Sequence, residues 1–218
     1  MASSQCCEHP PTLNPASGQG CVVDDLGGLK AYTVGPPACK TAILLLSDVF
    51  GYEAPNLRCA SLFSILLDHY SEFSKERVDK GFEDAKLVIE ALKNKGVSII
   101  GAAGFCWGAK VVAELAKCDY IKAAVLLHPA LVTVDDIKEV KCSIAILGAE
   151  FDEVAPPELL KQFEEILSLK SEVNGHVKVF PGAGHGWTTR YDTSDEMAVK
   201  KAEESHQDML ESFAKNLN

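Results

Sequence analysis

The sequence predicts an α/β fold, a mostly parallel sheet with helices on both faces. Three observations carry this. Continuous apolar runs of strand length recur along the chain, the pattern of strands buried on both faces. They alternate with segments whose apolar residues recur at helical spacing. Glycine and proline punctuate the changes between the two patterns. Such an alternation is joined by right-handed crossovers and places its sites at the carboxyl ends of the strands.

Taken in order, residues 1–20 are rich in Pro, Gly and Ser and read as an irregular lead-in. Cys21 to Asp24 and Leu29 to Val34 flank Gly27-Gly28, a hairpin signature. Thr41 to Ser47 is a continuous apolar run ending in serine, a buried strand. Phe82, Ala85, Ile89 and Leu92 share one helical face, which stops at Asn94-Lys95-Gly96. Val97 to Ala103 reads as a strand and Ala109 to Lys117 as a helix. Ala123 to Leu127 and Ser143 to Leu147 are two more buried strands. Pro157 opens a helix with Leu159, Leu160, Phe163, Ile166 and Leu167 on one side. Val177 to Phe180 is the last short strand, and Thr193 with Glu196 forms a capping box for a helix through Phe213.

The chain has 218 residues, 47% hydrophobic and 24% charged, which suits one domain over residues 1–218 with a sizeable core. A formal charge of −10 argues against nucleic acid or an anionic membrane as partner. No apolar stretch reaches the length of a membrane span. Met1 to Cys7 lacks the basic segment and apolar core of a signal peptide, and Lys215 to Asn218 carries no peroxisomal or retention tail, so the cytoplasm is expected. There the eight cysteines read as thiols rather than a disulfide framework. Cys6-Cys7-Glu8-His9 resembles a ligand cluster, but no second ligand pair follows at zinc spacing. The expectation is a solvated tail with spare thiols, and neither a metal nor a cofactor.

Gly104-Phe105-Cys106-Trp107-Gly108 lies at a strand-to-helix junction. G-x-S-x-G in that setting is the nucleophile elbow of α/β-hydrolases, and here cysteine takes the serine's place. In that fold the nucleophile is followed in the chain by an acid and then a histidine. The strand ending at Leu147 leads into Gly148-Ala149-Glu150-Phe151-Asp152, and the strand ending at Phe180 leads into Pro181-Gly182-Ala183-Gly184-His185-Gly186-Trp187. Asp152 is preferred over Glu150 and Glu153 because Pro156-Pro157 fix the helix start that follows. Cys106 attacks as thiolate, His185 moves the proton, and Asp152 orients the imidazole. The backbone N–H groups of Trp107 and Val49 would form the oxyanion hole. Asp48 ends the strand before Val49, and a carboxylate there opposes thiolate formation. His128 also ends a strand and reads as a structural or pocket-wall histidine. His9, His69, His176 and His206 carry no signal.

These residues resemble the dienelactone hydrolase family (carboxymethylenebutenolidases), particularly its plant cytosolic members. The likeness runs through Gln5-Cys6-Cys7, Asp48-Val49-Phe50-Gly51, the Cys106 elbow, Asp152 before Pro156-Pro157, and Gly184-His185-Gly186-Trp187. It implies an α/β-hydrolase fold and a Cys106, Asp152 and His185 triad that cleaves small lactones or esters through a thioester acyl-enzyme, without cofactor. It implies that Asp48, where bacterial members have Glu, holds the thiol neutral until substrate arrives. It makes Arg190 the nearest candidate for an arginine that contacts the substrate's carboxylate. A monomer or small homo-oligomer is expected.

The chain departs from the family between Cys59 and Lys80, where it looks shortened. One apolar run, Leu62 to Leu67, stands where a further strand with a Pro-Asp-type end is expected, and a second binding arginine of the family is lost with it unless Arg77 substitutes. Loss of that strand would leave two neighbours unpaired and the protein less stable than a full-length relative. Two alternatives follow: a weakly active or non-catalytic isoform, and a β-glucan hydrolase, since some plant relatives carry a glucanase label. The latter needs two carboxylates facing across a sugar.

Overall fold

The computed structural model describes residues 4–14, 16–36, 38–59, 64–67 and 75–217. A short 3₁₀ turn, Ser4–Cys7, begins the lead-in. Strands β1 (Cys21–Leu26) and β2 (Leu29–Thr33) then form the expected antiparallel hairpin. Gly27 and Gly28 supply φ values of 68° and 86° at its turn, where a side chain is disfavoured. The remaining strands are β3 (Thr41–Leu46), β4 (Ser64–Leu67), β5 (Ile99–Phe105), β6 (Ala123–Leu127), β7 (Ser143–Phe151) and β8 (Gly175–Gly184). All eight lie in one sheet, ordered β1-β2-β4-β3-β5-β6-β7-β8. From β4 to β8 every neighbouring pair is parallel.

The period of two along each strand builds a core on each face. Leu44, Leu46, Ile100, Ala102, Ala124, Leu126, Ile144 and Ile146 point to one side. There they meet α2 (Lys75–Asn94), α3 (Trp107–Ala116), α4 (Val134–Glu139) and α5 (Pro157–Leu169). Leu45, Ala103, Phe105, Val125, Leu127, Ala145 and Leu147 point to the other. That face takes Leu57 of α1 (Pro55–Cys59) and Met209 and Phe213 of α6 (Glu196–Asn216). Each fully buried leucine, isoleucine or phenylalanine stabilises this arrangement by about 1.5–3 kcal/mol. The continuous apolar runs of β3, β5, β6 and β7 are thus the consequence of two covered faces.

The departures from expectation have local causes. Ser64–Leu67 enters the sheet as β4, pairing antiparallel with β2 and parallel with β3. The apolar run therefore fills the gap, and the expected unpaired edges on β2 and β3 do not arise; residues 60–63 and 68–74, with His69, lie outside the described residues. The cap of α6 is Asp195, whose carboxylate accepts from the N–H groups of Met197 and Ala198, rather than Thr193. Helix α4 was not foreseen, although Thr133 and Asp136 form a capping box at its start. Asp136 also accepts from Lys110 and Lys117 at 2.7 Å each, tying α4 to α3. The strand β8 runs on past its apolar run to Gly184 as an edge strand, with His176, Val179, Pro181 and Gly182 exposed. Among the described residues no helix is long and apolar enough to cross a membrane.

Two glycines set how closely α3 seats on the sheet. A Cβ at Gly108 would collide with the carbonyl oxygens of Leu46 and Ser47, and one at Gly104 with the backbone of Gly108 and Ala109. These are backbone atoms of the end of β3 and of α3 itself and cannot swing aside. Gly108→Ala is expected to cost about 1–3 kcal/mol, as overpacking does, and to lower the melting temperature by several degrees. A melting temperature within about 1 °C of the parent's would contradict the close approach.

Candidate active site

Cys106 lies between β5 and α3 with φ 52° and ψ −112°, a conformation that non-glycine residues seldom adopt. Such backbone strain costs on the order of 1–3 kcal/mol. It is held on both sides: the Cys106 N–H donates to Leu127 O at 3.1 Å, and its carbonyl accepts from the N–H of Ala109 and of Ala130. The sulfur is thereby fixed at the carboxyl edge of the sheet, at the N-terminus of α3. Trp107 is the first residue of that helix, and Val49 follows β3 at the same edge.

β7 and β8 bring two more side chains there. Asp152, just past β7, accepts from the N–H groups of Val154 and Ala155 with Oδ1 at 2.8 and 3.1 Å. Its Oδ2 is left to face His185 Nδ1 at 2.8 Å. His185 Nε2 lies 3.2 Å from Cys106 Sγ. The three residues singled out from the sequence therefore form one hydrogen-bonded chain, although 79 residues separate Cys106 from His185. Of the competing carboxylates, Glu150 accepts from Gly182 N–H and braces β8, while Glu153 is exposed and its backbone N–H donates to the Gln5 side chain.

Loop residues after His185 support it. His206 Nε2 donates to Thr188 O at 2.9 Å, which fixes its tautomer, and burial draws its pKa down to about 4. His128, with φ 36°, is fully buried and packs edge-on against the His185 ring at 5.1 Å. Its Nδ1 lies 3.1 Å from Thr188 Oγ1. Burial, then the positive charge of His185 and Arg190, holds His128 neutral, well below the usual histidine range. It serves as the wall behind His185. Arg77 is in the first turns of α2, half-buried.

A residue read as part of a solvated tail stands against Cys106. Cys6, expected on a solvated tail, is only 1% exposed, and its sulfur belongs to a cluster with Cys106 and His185. The neighbouring Cys7 is exposed. Cys6 is brought in by Arg190, whose Nη1 donates to the main-chain oxygens of Gln5, Cys6 and Glu8 at 3.3, 2.9 and 2.9 Å. The Gln5 side chain adds a bond from Glu153 N–H at 2.7 Å. Arg190, expected to meet a substrate carboxylate, is thus buried and bonded to this segment. Its Nε lies 3.6 Å from Asp48 Oδ2. Gly186, with φ 86°, makes room for it, since a Cβ there would strike the guanidinium.

These groups set one another's protonation. Burial, foremost, holds Cys106 well above the usual thiol range, with Cys6 and the charge of Asp48 adding to the rise and Arg190 opposing it. Cys6 is drawn down to about 5, chiefly by a hydrogen bond from the Cys106 thiol, against the cost of burial and helped by His185 and Arg190. Burial also raises Asp48, against Arg190 and the bonds from Phe50 N–H and Thr189 Oγ1. For His185 burial opposes the charge, but Asp152 and Cys6 outweigh it and raise the pKa. The two thiols thus titrate as one coupled pair, with Cys6 losing its proton ahead of Cys106.

A model of the dienelactone hydrolase family matches residues 43–217. An endo-1,3;1,4-beta-D-glucanase of Zea mays is 40% identical over 196 residues, covering 79% of this chain and 64% of that protein, so the chain spans less than two thirds of that relative's length. A carboxymethylenebutenolidase homolog of Xenopus tropicalis is 29% identical over 217 residues, covering 87% and 88%. Among solved structures, a putative dienelactone hydrolase from Klebsiella pneumoniae superposes with a TM-score of 0.68 at 18% identity, covering 90% of this chain and 97% of that one. The Pyrococcus furiosus esterase Pf2001 gives 0.69 at 14%, covering 96% and 99%. At such identities the likeness concerns the fold, which is that of the α/β-hydrolases.

Asp48→Asn removes a buried negative charge that disfavours the Cys106 thiolate. Where Asp48 is ionised, Cys106 of the variant is expected to ionise at a pH lower by about one unit. Iodoacetamide labelling of the Cys106 peptide, measured across pH by mass spectrometry, reads this shift; an unmoved profile would show that Asp48 does not act on the thiol.

Proposed function

The chain belongs to the dienelactone hydrolase family, and from that premise we propose that it hydrolyses small esters or lactones with Cys106 as nucleophile, His185 as base and acid, and Asp152 as the group that orients His185. The observation that carries this reading is the continuous chain from Asp152 Oδ2 through His185 to Cys106 Sγ, at 2.8 and 3.2 Å. The carboxymethylenebutenolidase name of the Xenopus relative supports the substrate class. No cofactor enters the reaction.

The chemistry follows from the geometry. With His185 neutral, its Nε2 takes the thiol proton as Sγ attacks the carbonyl carbon. The electron pair of the C=O bond moves to oxygen, and the N–H groups of Trp107 and Val49 receive that oxyanion. Trp107 does so with the help of the positive end of α3. Collapse expels the alkoxide, which takes the proton from His185 and, in a lactone, remains tethered to the acyl group. Water, deprotonated by His185, then cleaves the thioester and restores the thiol. Asp152 keeps the Nδ1 proton facing its own oxygen, so that Nε2 points at the sulfur in every step. Asp48 and Cys6 keep Cys106 protonated at rest, which protects it from adventitious electrophiles. The reaction belongs in the cytoplasm, where thiols stay reduced.

The name of the maize relative motivates a second reading, hydrolysis of a mixed-linkage β-glucan. It needs two carboxyl groups free to face one sugar. Here Asp152 is bonded to His185 and two N–H groups, and Asp48 to Phe50 and Thr189. That reading also leaves Cys106 and His185 without a role.

Hydrolysis of a small activated aryl ester separates them. Cys106→Ala is expected to lose about 10³-fold or more in kcat, His185→Ala a similar factor, and the double variant little beyond either alone. Reducing-sugar release from β-glucan that survives Cys106→Ala would overturn the cysteine mechanism in favour of the carboxylates.

A further inference from the structure

Cys6 is a buried thiol that the proposed hydrolysis does not use, yet it is held against the two groups that do the chemistry. The sulfurs of Cys6 and Cys106 and a ring nitrogen of His185 all lie within 4.8 Å of one another, the one group of potential metal ligands of this kind among the described residues. His185 Nε2 is the nitrogen that faces the sulfurs, since Nδ1 is engaged by Asp152.

The geometry points to a regulatory site for a thiophilic divalent cation, zinc above all, held by Cys6 Sγ, Cys106 Sγ and His185 Nε2. Separation of the donors decides between metal and disulfide. Zinc takes sulfur at about 2.3 Å and imidazole at about 2.0 Å in a tetrahedron, so its donors stand roughly 3.3–3.8 Å apart. The Nε2 to Cys106 Sγ distance of 3.2 Å is already close to this, and no donor pair exceeds 4.8 Å. A disulfide instead requires the sulfurs to close to about 2.05 Å. The rest of the surroundings also suit an ion. Asp152 holds the far nitrogen of His185, the carboxylate–histidine–metal arrangement that fixes ring and tautomer. Two thiolates neutralise one divalent charge, which a buried site requires. Soft sulfur and imidazole donors select zinc over magnesium or calcium. A water would complete the tetrahedron.

Binding replaces the thiol protons with the ion and ties up the sulfur that would attack an ester. The ion therefore silences turnover, and a chelator restores it. That it silences turnover rests on the hydrolase reading above; that it binds does not. Cys6 closes the site because Arg190 docks its segment, so the strength of that docking sets metal affinity as well as access to Cys106.

The test uses the full-length protein, fully reduced and freed of metal, titrated with cobalt(II) under anaerobic conditions. Cobalt reports coordination by its ligand-field bands and thiolate by its charge-transfer band. One equivalent is expected, with tetrahedral bands and charge-transfer intensity for two thiolates. Cys6→Ser and Cys106→Ser should each halve that intensity and weaken binding by about 100-fold or more, beyond what outer-shell changes cost. Cys7→Ser should leave the spectrum as it is. Octahedral bands without charge transfer, an unchanged spectrum in Cys6→Ser, or loss of the spectrum in Cys7→Ser would each overturn the site. Aryl ester turnover is followed in parallel with zinc: inhibition at one equivalent, reversed by chelator, is expected in the parent. Should the parent bind cobalt as described and yet hydrolyse no ester, the hydrolase reading fails while the metal site stands.

Discussion

The left-handed backbone of Cys106 is the constraint on which the rest of this structure depends. A residue with a side chain persists at φ 52° only where its surroundings over-determine it. Here β6 accepts its N–H, while α3 and the loop after β6 donate to its carbonyl. Gly104 and Gly108 allow α3 to press onto β5 and the end of β3, which is what brings the Ser47-Asp48-Val49 loop beside the first turn of that helix. Once the sulfur is fixed at this edge, parallel topology supplies its partners. Chain order follows sheet order from β5 to β8, so the loops after β7 and β8 deliver Asp152 and His185 to the same edge. Between them β6 contributes His128, whose ring backs His185.

A second constraint is electrostatic. Asp48, Asp152, His185, Arg190 and two thiols share a region with little water, where unpaired charge is costly. The arrangement balances them through Arg190. It lies near Asp48 on one side and gathers three main-chain oxygens on the other, while the helical turn from Gly186 to Arg190 carries it beside His185. One guanidinium thus couples the carboxylate near Cys106, the segment that carries Cys6 and the loop that carries His185. Five donors in a planar fork make this possible for arginine and not for lysine.

Much of this was legible in the sequence, and the legible part has a common physical basis. Strands buried on both faces leave continuous apolar runs, and the glycines of the elbow and of the His185 loop mark turns that side chains obstruct. Cys106, Asp152 and His185 could therefore be picked out from the elbow motif, strand ends, chain order and the prolines after Asp152. What was hidden depends on contacts between segments far apart in the chain. The docking of Cys6 arises from Arg190, 184 residues away, acting on main-chain oxygens that carry no sequence signal. The place of Ser64–Leu67 between β2 and β3 is a matter of which edges need a partner, and a run of four residues does not encode that. Asp195 rather than Thr193 caps α6 because the carboxylate reaches two N–H groups at once, a choice that only backbone geometry makes.

The kind of contact that docks Cys6 bears on how the site works. Cys106 is fully buried, so under the proposed hydrolysis an ester reaches the sulfur only after a neighbour moves. Cys6 lies against that sulfur, and its segment is held by polar bonds: three from one Arg190 nitrogen and one from Glu153 N–H. Cys7, Glu8 and His9 around it are exposed and add little apolar area. Hydrogen bonds of this kind contribute about 0.5–1.5 kcal/mol net each, somewhat more from a charged donor, because water replaces them on release. If the segment is held by about 3 kcal/mol, it is lifted in roughly one molecule in a hundred, and the apparent affinity for substrate falls by the same factor. An apolar plug of equal area would hold more tightly and open more rarely. A polar dock therefore suits a cover that must shield a reactive sulfur at rest and still yield to a small molecule.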